Sequence, residues 1–399
     1  MLLLDGLTDI NNHNLVRDVV FQEVLNLQVN QSIIKNCVNK IKAINYINKF
    51  EELHSIIPKF QLIRYLYKND IKCDKIEKID EGYGTREYYK IRFDDKNKDF
   101  IIAFYKNDKD IQKYIYITEI LKRNKINVAN YEKKENCMMM LEDLGIQHFK
   151  SKNILDFIEV IIGLQNIDFK NLEIPIYTQN LIYEEMSGFL SNFLIKFLDV
   201  NISKEEEKYI IDFCSETSKK LFESKNKCFV HKDINPSNIL LKNSKFYLID
   251  YQNALIGSSY YDLASLLFNE REILSENQIN EGINLYLEKS KFKNDFSNEF
   301  TLCAFHRILK NLGCFANLYF ENKDVVLITY IKKLIEMSLF LAEIIQIEIL
   351  KKILLKARII FYEKYYKGER ANNLYNINTN LNLIKVLINK KFFCYNWNK

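Results

Sequence analysis

Residues 228–267 run CFVHKDINPSNILLKNSKFYLIDYQNALIGSSYYDLASLL, and the fold is decided by how this stretch is read. An apolar lead-in is followed by His231, Asp233 and Asn238 in the spacing H-x-D-x-x-x-x-N. A short hairpin-like apolar segment then presents Asp250 after the strand-like FYLI. Two carboxylates and a carboxamide therefore converge on one loop system. Such a set suits phosphoryl transfer from a nucleoside triphosphate, where a protein mainly positions groups and neutralises charge. One carboxylate must orient an attacking hydroxyl and take its proton, the role open to Asp233. Asn238, five positions on, can bring its amide oxygen back beside that carboxylate as a hard ligand for Mg²⁺, with Asp250 as the negative ligand. His231 has no chemical step in this reading and is expected to be a buried residue whose ring hydrogen bonds hold the loop. A single H-x-D is common in structural loops; the weight rests on spacing, strand and terminal carboxylate occurring in order.

These residues resemble the catalytic loop and metal-binding segment of the aminoglycoside phosphotransferase and choline kinase superfamily, in the string HKDINPSNIL. The continuation through Tyr251, Gln252, Asn253, Ala254, Ile256, Gly257 and then YDLASLL resembles the bacterial anomeric sugar kinases acting on N-acetylmuramate and N-acetylglucosamine. Those enzymes typically carry I-D-F-Q-D-A followed by Y-D-L-x-S-L-L. Here Tyr251 stands for Phe and Asn253 for Asp, so one carboxylate of that pattern is missing.

The chain has 399 residues, 48% of them hydrophobic, enough for a substantial core and two lobes with additions. A net charge of +5 with dispersed lysines demands no nucleic-acid partner. Eight cysteines form no C-x-x-C pair and are expected to be reduced, mostly buried thiols of a cytoplasmic protein. The apolar run of MLLLDG is too short for a signal peptide, and no membrane span is expected.

Residues 1–58 are helix-like and suggest an N-terminal extension. A helix, QLIRYLYKND, then leads into IEKIDEGYGTREYYKIRF, a charged turn and FIIAFYK, a strand–turn–strand–turn–strand pattern. This fits a small antiparallel sheet covering ATP in kinase-like folds. Gly82 and Gly84 would let backbone approach phosphate oxygens, Thr85 would add a hydroxyl, and Arg86 opens a strand resembling R-x-Y-F-R of the sugar kinases. No V-A-I-K lysine is evident; Arg86, Lys90 and Lys106 are the cationic candidates. In CMMMLEDLG, the backbone of Met140, Leu141 and Glu142 is the expected reader of the adenine edge.

The remainder is strongly helical. Glu185, in a segment resembling the E-L-x-L-F helix of the sugar kinases, joins Gln252 and Asn253 as an acceptor-site candidate, although a solvated face is the default for a helix glutamate. Asp262 is expected to cap its helix and brace the catalytic loop. Arg307 and Lys310, one turn apart in RILKNLGCF, either hold a ligand anion or pair with acidic loop residues. A lysine-studded amphipathic pattern over residues 328–366 reads as a helix of the larger lobe, and residues 367–399 form an Asn- and Lys-rich tail.

The expectation is an α+β, two-lobed protein-kinase-like fold, with a nucleotide-covering lobe over residues 59–141 and a catalytic and acceptor lobe over 142–366. The resemblance implies ATP and Mg²⁺ as cofactors, and transfer of the γ-phosphoryl to the anomeric hydroxyl of an N-acetylated amino sugar in cell-wall salvage. Choline or ethanolamine kinase and aminoglycoside phosphotransferase are the other enzymatic readings. A catalytically silent nucleotide-binding scaffold is the reading of a different class.

Overall fold

The computed structural model describes residues 62–366 apart from 63, 64, 67, 68, 70–72, 74, 80–85, 94–98 and 134–136. The expectations for residues 1–58 and 367–399, and for Gly82, Gly84 and Thr85, lie outside the described residues. Two compact units emerge. The first runs to Ile115 and takes in Ala129–Leu144; the second comprises Tyr116–Val128 and the chain from Gly145 onward. The chain passes between them three times, leaving the first at Ile115, returning at Ala129 and leaving again after Leu144.

Alternating side chains build the first unit. Strands β1 (Lys75–Ile79), β2 (Glu87–Arg92), β3 (Phe100–Phe104), β4 (Tyr131–Lys133) and β5 (Met138–Glu142) form one five-stranded sheet in the order β1-β2-β3-β5-β4. Every pairing is antiparallel. Register sets Tyr89 opposite Ile102 and Phe104 opposite Met138. With Ile91 these residues pack against Leu62, Leu66 and Cys73. The period of two therefore selects one buried face.

Strand β5 lies between β3 and β4, with Met140 opposite Ile102 and Glu132, and Leu141 opposite Ile101 and Tyr131. The Glu142 N–H donates to the Asn130 carbonyl at 2.8 Å. Met140 and Leu141 thus have a paired strand on either side, and the chain first leaves the ladder at Asp143. Lys90 is also committed, since its ammonium pairs with Asp143 at 2.5 Å and Asp99 at 3.0 Å.

Helix α1 (Asp108–Arg123) begins in the first unit and ends in the second, which is otherwise mainly helical. Helices α2 (Ile154–Gln165) and α3 (Gln179–Gly188) follow, the last continuing as a π-helical run over Phe189–Phe197. Thr178 caps α3 by accepting from Leu181 N–H. Next comes α4 (Lys204–Glu223), whose start is fixed by the Ser203–Glu206 capping box. Strands β6 (Lys227–Val230) and β9 (Leu255–Ser258) pair with each other, as do β7 (Ile239–Lys242) and β8 (Lys245–Leu248). The β7–β8 turn uses Asn243 and Ser244 at φ 50° and 60°, the two left-handed positions of a type I′ hairpin.

Helices α5 (Tyr261–Leu267), α6 (Glu276–Lys289), α7 (Phe296–Asn322), α8 (Val325–Ile344) and α9 (Glu348–Tyr365) complete the chain. Most of α7 is buried, and it packs against α3, α5 and α8. The single amphipathic pattern expected over 328–366 is two helices, broken at residues 345–347, where Gln346 takes φ 56°. Among the described residues no helix is long and apolar enough to cross a membrane.

Candidate active site

The loop between β6 and β7 and the segment after β8 hold their chemistry through backbone that is costly to form. Lys232 and Asp250 sit at φ 76° and 63°, left-handed positions that cost a non-glycine residue about 1–3 kcal/mol each unless surrounding contacts impose them. Asp262, in the first turn of α5, imposes the first: its Oδ2 accepts from His231 N–H at 2.7 Å and its Oδ1 from Lys232 N–H at 3.1 Å. Burial pushes the Asp262 carboxyl up to about 7, against the two loop amides that favour its ionised form. Asp262 thus braces the loop, but it does not cap its own helix, because both oxygens are spent on amides about 30 residues away.

His231 is fully buried. Its Nδ1 accepts from Asp233 N–H at 3.3 Å, so the ring proton sits on Nε2 and is donated to the Ile249 carbonyl at 3.1 Å. Burial lowers the imidazole pKa. A protonated ring would lose the Nδ1 acceptor, so neutrality and geometry agree. The ring ties the backbone of Asp233 to the residue preceding Asp250.

Two carboxamides hold the Asp233 carboxylate. Asn235 Nδ2 donates to Oδ1 at 3.0 Å, and Asn238 Nδ2 donates to Oδ2 at 2.8 Å. The expectation that the Asn238 oxygen meets this carboxylate is corrected: two acceptors would repel, so the nitrogen turns inward and Oδ1 points away from Asp233. Asn235, passed over in the sequence, also accepts from Ser237 N–H at 3.0 Å and so starts the short 3₁₀ turn Pro236–Asn238. The Asn-Pro pair is the signal that could have found it.

Asp250 is placed by its neighbour, since Ile249 N–H donates to the Asn238 carbonyl at 3.1 Å. Buried Gln252 donates to Asp250 Oδ1 at 2.8 Å, so this acceptor candidate braces the carboxylate, whereas Asn253 is exposed. The hydroxyl that distinguishes Tyr251 from Phe bonds to the buried Thr118 hydroxyl at 2.8 Å. A carboxamide oxygen on Asn238 and a carboxylate on Asp250 suit Mg²⁺, which keeps waters and shares substrate phosphates. Among the described residues no group of three or more His, Cys, Asp or Glu side chains is poised to hold a metal. In the first unit, Arg86 lies over the rings of Tyr88 and Tyr105 at 6.0 and 5.8 Å, and Lys106 is exposed just beyond β3.

Glu185 is not on a solvated face. Its Oε1 pairs with Lys232 Nζ at 2.8 Å, and its Oε2 accepts from Tyr177 Oη and His306 Nε2, the latter at 3.1 Å, with Lys310 Nζ at 3.5 Å. Burial opposes ionisation, yet the His306 hydrogen bond and the charges of Lys310 and Lys232 outweigh it and hold this carboxyl well below the usual carboxylate range. Because the folded value is depressed, its contribution to stability is present above pH 4.5, near the unfolded value, and is lost as pH falls through the folded value. Below that pH, stability of the wild type is expected to fall more steeply than that of Glu185→Gln, by up to about 1.4 kcal/mol per pH unit. Urea unfolding between acid and neutral pH measures the difference; parallel profiles would contradict it. Arg307 is also occupied, donating to Glu270 Oε2 at 2.9 Å and the Phe268 carbonyl at 3.3 Å.

Residues 204–294, which contain Asp233, Asn238, Asp250 and Asp262, match the model of the phosphotransferase enzyme family, APH. Two curated relatives narrow the likeness. The chain is 24% identical over 200 residues to the N-acetylmuramate/N-acetylglucosamine kinase of Pseudomonas aeruginosa, covering 46% of this chain and 59% of that enzyme. It is 25% identical over 194 residues to the enzyme of the same description from Neisseria meningitidis serogroup B, covering 46% and 57%. The match thus spans less than two thirds of either relative. Among solved structures, a choline kinase from Streptococcus pneumoniae superposes with a TM-score of 0.50 at 14% identity, covering 69% of this chain and 97% of that one. The architecture is that of the α+β, protein-kinase-like fold.

Proposed function

We propose that this chain is an ATP-dependent small-molecule kinase whose acceptor is the anomeric hydroxyl of N-acetylmuramate or N-acetylglucosamine. The observation that carries the reaction class is the Asp233 carboxylate, held by Asn235 and Asn238 in the loop whose histidine ties it to the segment bearing Asp250. The relatives in Pseudomonas aeruginosa and Neisseria meningitidis support the acceptor class.

In this reading Asp233 accepts a hydrogen bond from the acceptor hydroxyl, aims it at the γ-phosphorus and takes its proton as the O–P bond forms. Asn235 and Asn238 fix the plane of the carboxylate, so its rotation costs two hydrogen bonds. Asn238 Oδ1 and the Asp250 carboxylate would hold Mg²⁺, which when bound neutralises charge on the phosphate oxygens. Gln252 orients Asp250 for that duty.

Incubating the full chain with Mg-ATP and N-acetylmuramate, N-acetylglucosamine, choline or kanamycin, with ADP release and phosphorylated product followed together, tests the proposal. Turnover of an N-acetylated amino sugar to an alkali-stable, acid-labile 1-phosphate is expected. Turnover of choline or kanamycin alone would replace the acceptor, and turnover of none would sink it. Asp250→Asn is expected to raise the Mg²⁺ needed for half-maximal rate by about 10–100-fold, as loss of one ligand charge at a hard-cation site implies. An unchanged Mg²⁺ titration would remove Asp250 as a ligand.

A further inference from the structure

Lys232 is the residue on which the catalytic loop turns, and it is held at both ends. Its N–H is fixed by Asp262, and its ammonium by Glu185 at 2.8 Å with the face of Tyr177 at 5.1 Å. The Lys232 and Glu185 side chains are only 17% and 14% exposed. An ammonium so far out of water needs its counter-ion in place, and truncating one member of such a pair strands the other charge.

Glu185 is in turn anchored elsewhere. Tyr177 and His306 donate to its other oxygen, and Lys310 lies one turn beyond His306 on α7. His306 is fully buried and among the described residues has no hydrogen-bond partner at Nδ1, so its hydrogen bonding is served at Nε2, toward Glu185 and Tyr177. A helix-borne carboxylate rigidly held on one side therefore grips, on the other, the residue immediately before Asp233.

We infer that Glu185 and Lys232 form a clamp that positions Asp233 for proton abstraction, rather than an acceptor-binding contact. The inference rests on the kinase reading of Asp233. Four donors already surround the Glu185 carboxylate, leaving little room for a sugar hydroxyl, whereas its grip on Lys232 supplies the charged partner at the ammonium end, beside the Tyr177 ring. Misplacing a reacting group by about 1 Å costs on the order of 10²-fold in rate, so the clamp acts on kcat.

The test uses the full chain and a double-mutant cycle of Glu185→Gln, Lys232→Met and the two together, with Lys232→Arg as the conservative control. Each single change is expected to lower kcat by about 30-fold, with acceptor KM within about threefold of wild type. The double variant should lose no more than about 100-fold, where independent effects would multiply to about 1,000-fold. Lys232→Arg should recover most of the rate. In parallel, amide hydrogen exchange over residues 229–238 should accelerate about tenfold in Glu185→Gln, a readout that needs no acceptor.

Multiplicative losses, or a raised acceptor KM at unchanged kcat in Glu185→Gln with Lys232→Met silent, would overturn the clamp and return Glu185 to the acceptor. Exchange indistinguishable from wild type would overturn it as well. Should the wild type phosphorylate none of the four acceptors, the kinase reading fails while faster exchange still upholds the clamp on the loop.

Discussion

Asp233→Asn is expected to reduce kcat by about 10³-fold, the range associated with losing a positioned general base, while Mg-ATP still binds. The substitution keeps size and shape and removes the proton acceptor, so a loss in kcat at preserved nucleotide affinity isolates the chemical step. It also inverts one hydrogen bond. Both oxygens of Asp233 now accept from amide nitrogens, Asn235 at 3.0 Å and Asn238 at 2.8 Å, and a carboxamide has only one accepting oxygen. One of the two neighbours must flip or part, at a cost of about 1–3 kcal/mol for a half-buried donor left unmade. A modest fall in melting temperature should therefore accompany the loss of rate. The neighbour that yields is expected to be Asn235, because Asn238 also donates to the Asp233 backbone carbonyl at 3.0 Å, the shorter of their two contacts with that atom. Steady-state kinetics, calorimetric titration of Mg-ATP and a thermal melt together decide the matter. A fully active Asp233→Asn enzyme would exclude proton transfer to this residue.

The local parts of this site were legible in the sequence because they are encoded locally. Asp233, Asn238 and Asp250 lie within 18 positions, and a strand–loop–strand pattern is enough to bring them together. The antiparallel sheet of the first unit was legible for the same reason, through the alternation of Tyr89 and Ile91 with Ile102 and Phe104. Orientation was less accessible. Which atom of Asn238 faces Asp233 depends on whether that carboxylate already has a donor, and the answer lies in Asn235. Neither residue type nor spacing encodes that balance.

Long-range partners were the least accessible. Glu185 and Lys232 are separated by a helix, a π-helical run and a strand, and a helix glutamate is solvated by default. Only the approach of α3 to α7 reveals that His306, Lys310 and Tyr177 converge on the same carboxylate. The three-residue break after α8 was hidden as well, since lysines recur through both helices and the left-handed position falls on Gln346 rather than on a glycine or asparagine. For Met140–Glu142 the sequence showed a strand followed by an acidic turn, but not the short β4 that pairs with the second edge of β5.

The approach of α3 to α7 yields the second large expected effect: Gly313→Ala should destabilise the protein by about 3 kcal/mol, lowering the melting temperature by about 5–10 °C. A Cβ at 313 would stand 2.5 Å from the Gly188 carbonyl carbon, 2.7 Å from its oxygen and 2.9 Å from its Cα. All three are backbone atoms of a helix, which cannot rotate aside as a flexible side chain would. The helices must therefore separate, and the interior has no slack to absorb the shift at packing densities near those of organic crystals. The reciprocal change is informative. A Cβ at 188 meets only the Asn192 side chain at 3.4 Å and Gly313 Cα at 3.5 Å, ordinary contact distances. Gly188→Ala should thus be near neutral, or stabilising by up to about 1 kcal/mol through helix propensity. The asymmetry separates steric packing from a general intolerance of larger residues at this crossing. Because Glu185 lies one turn before Gly188, and Lys310 and His306 lie one and two turns before Gly313, moving the helices apart also lengthens the contacts around the Glu185 carboxylate. Activity of Gly313→Ala measured well below its melting temperature should therefore fall further than the folded fraction accounts for. Melting temperatures within 2 °C for wild type and Gly313→Ala would show that the crossing yields at little cost, contrary to these contacts.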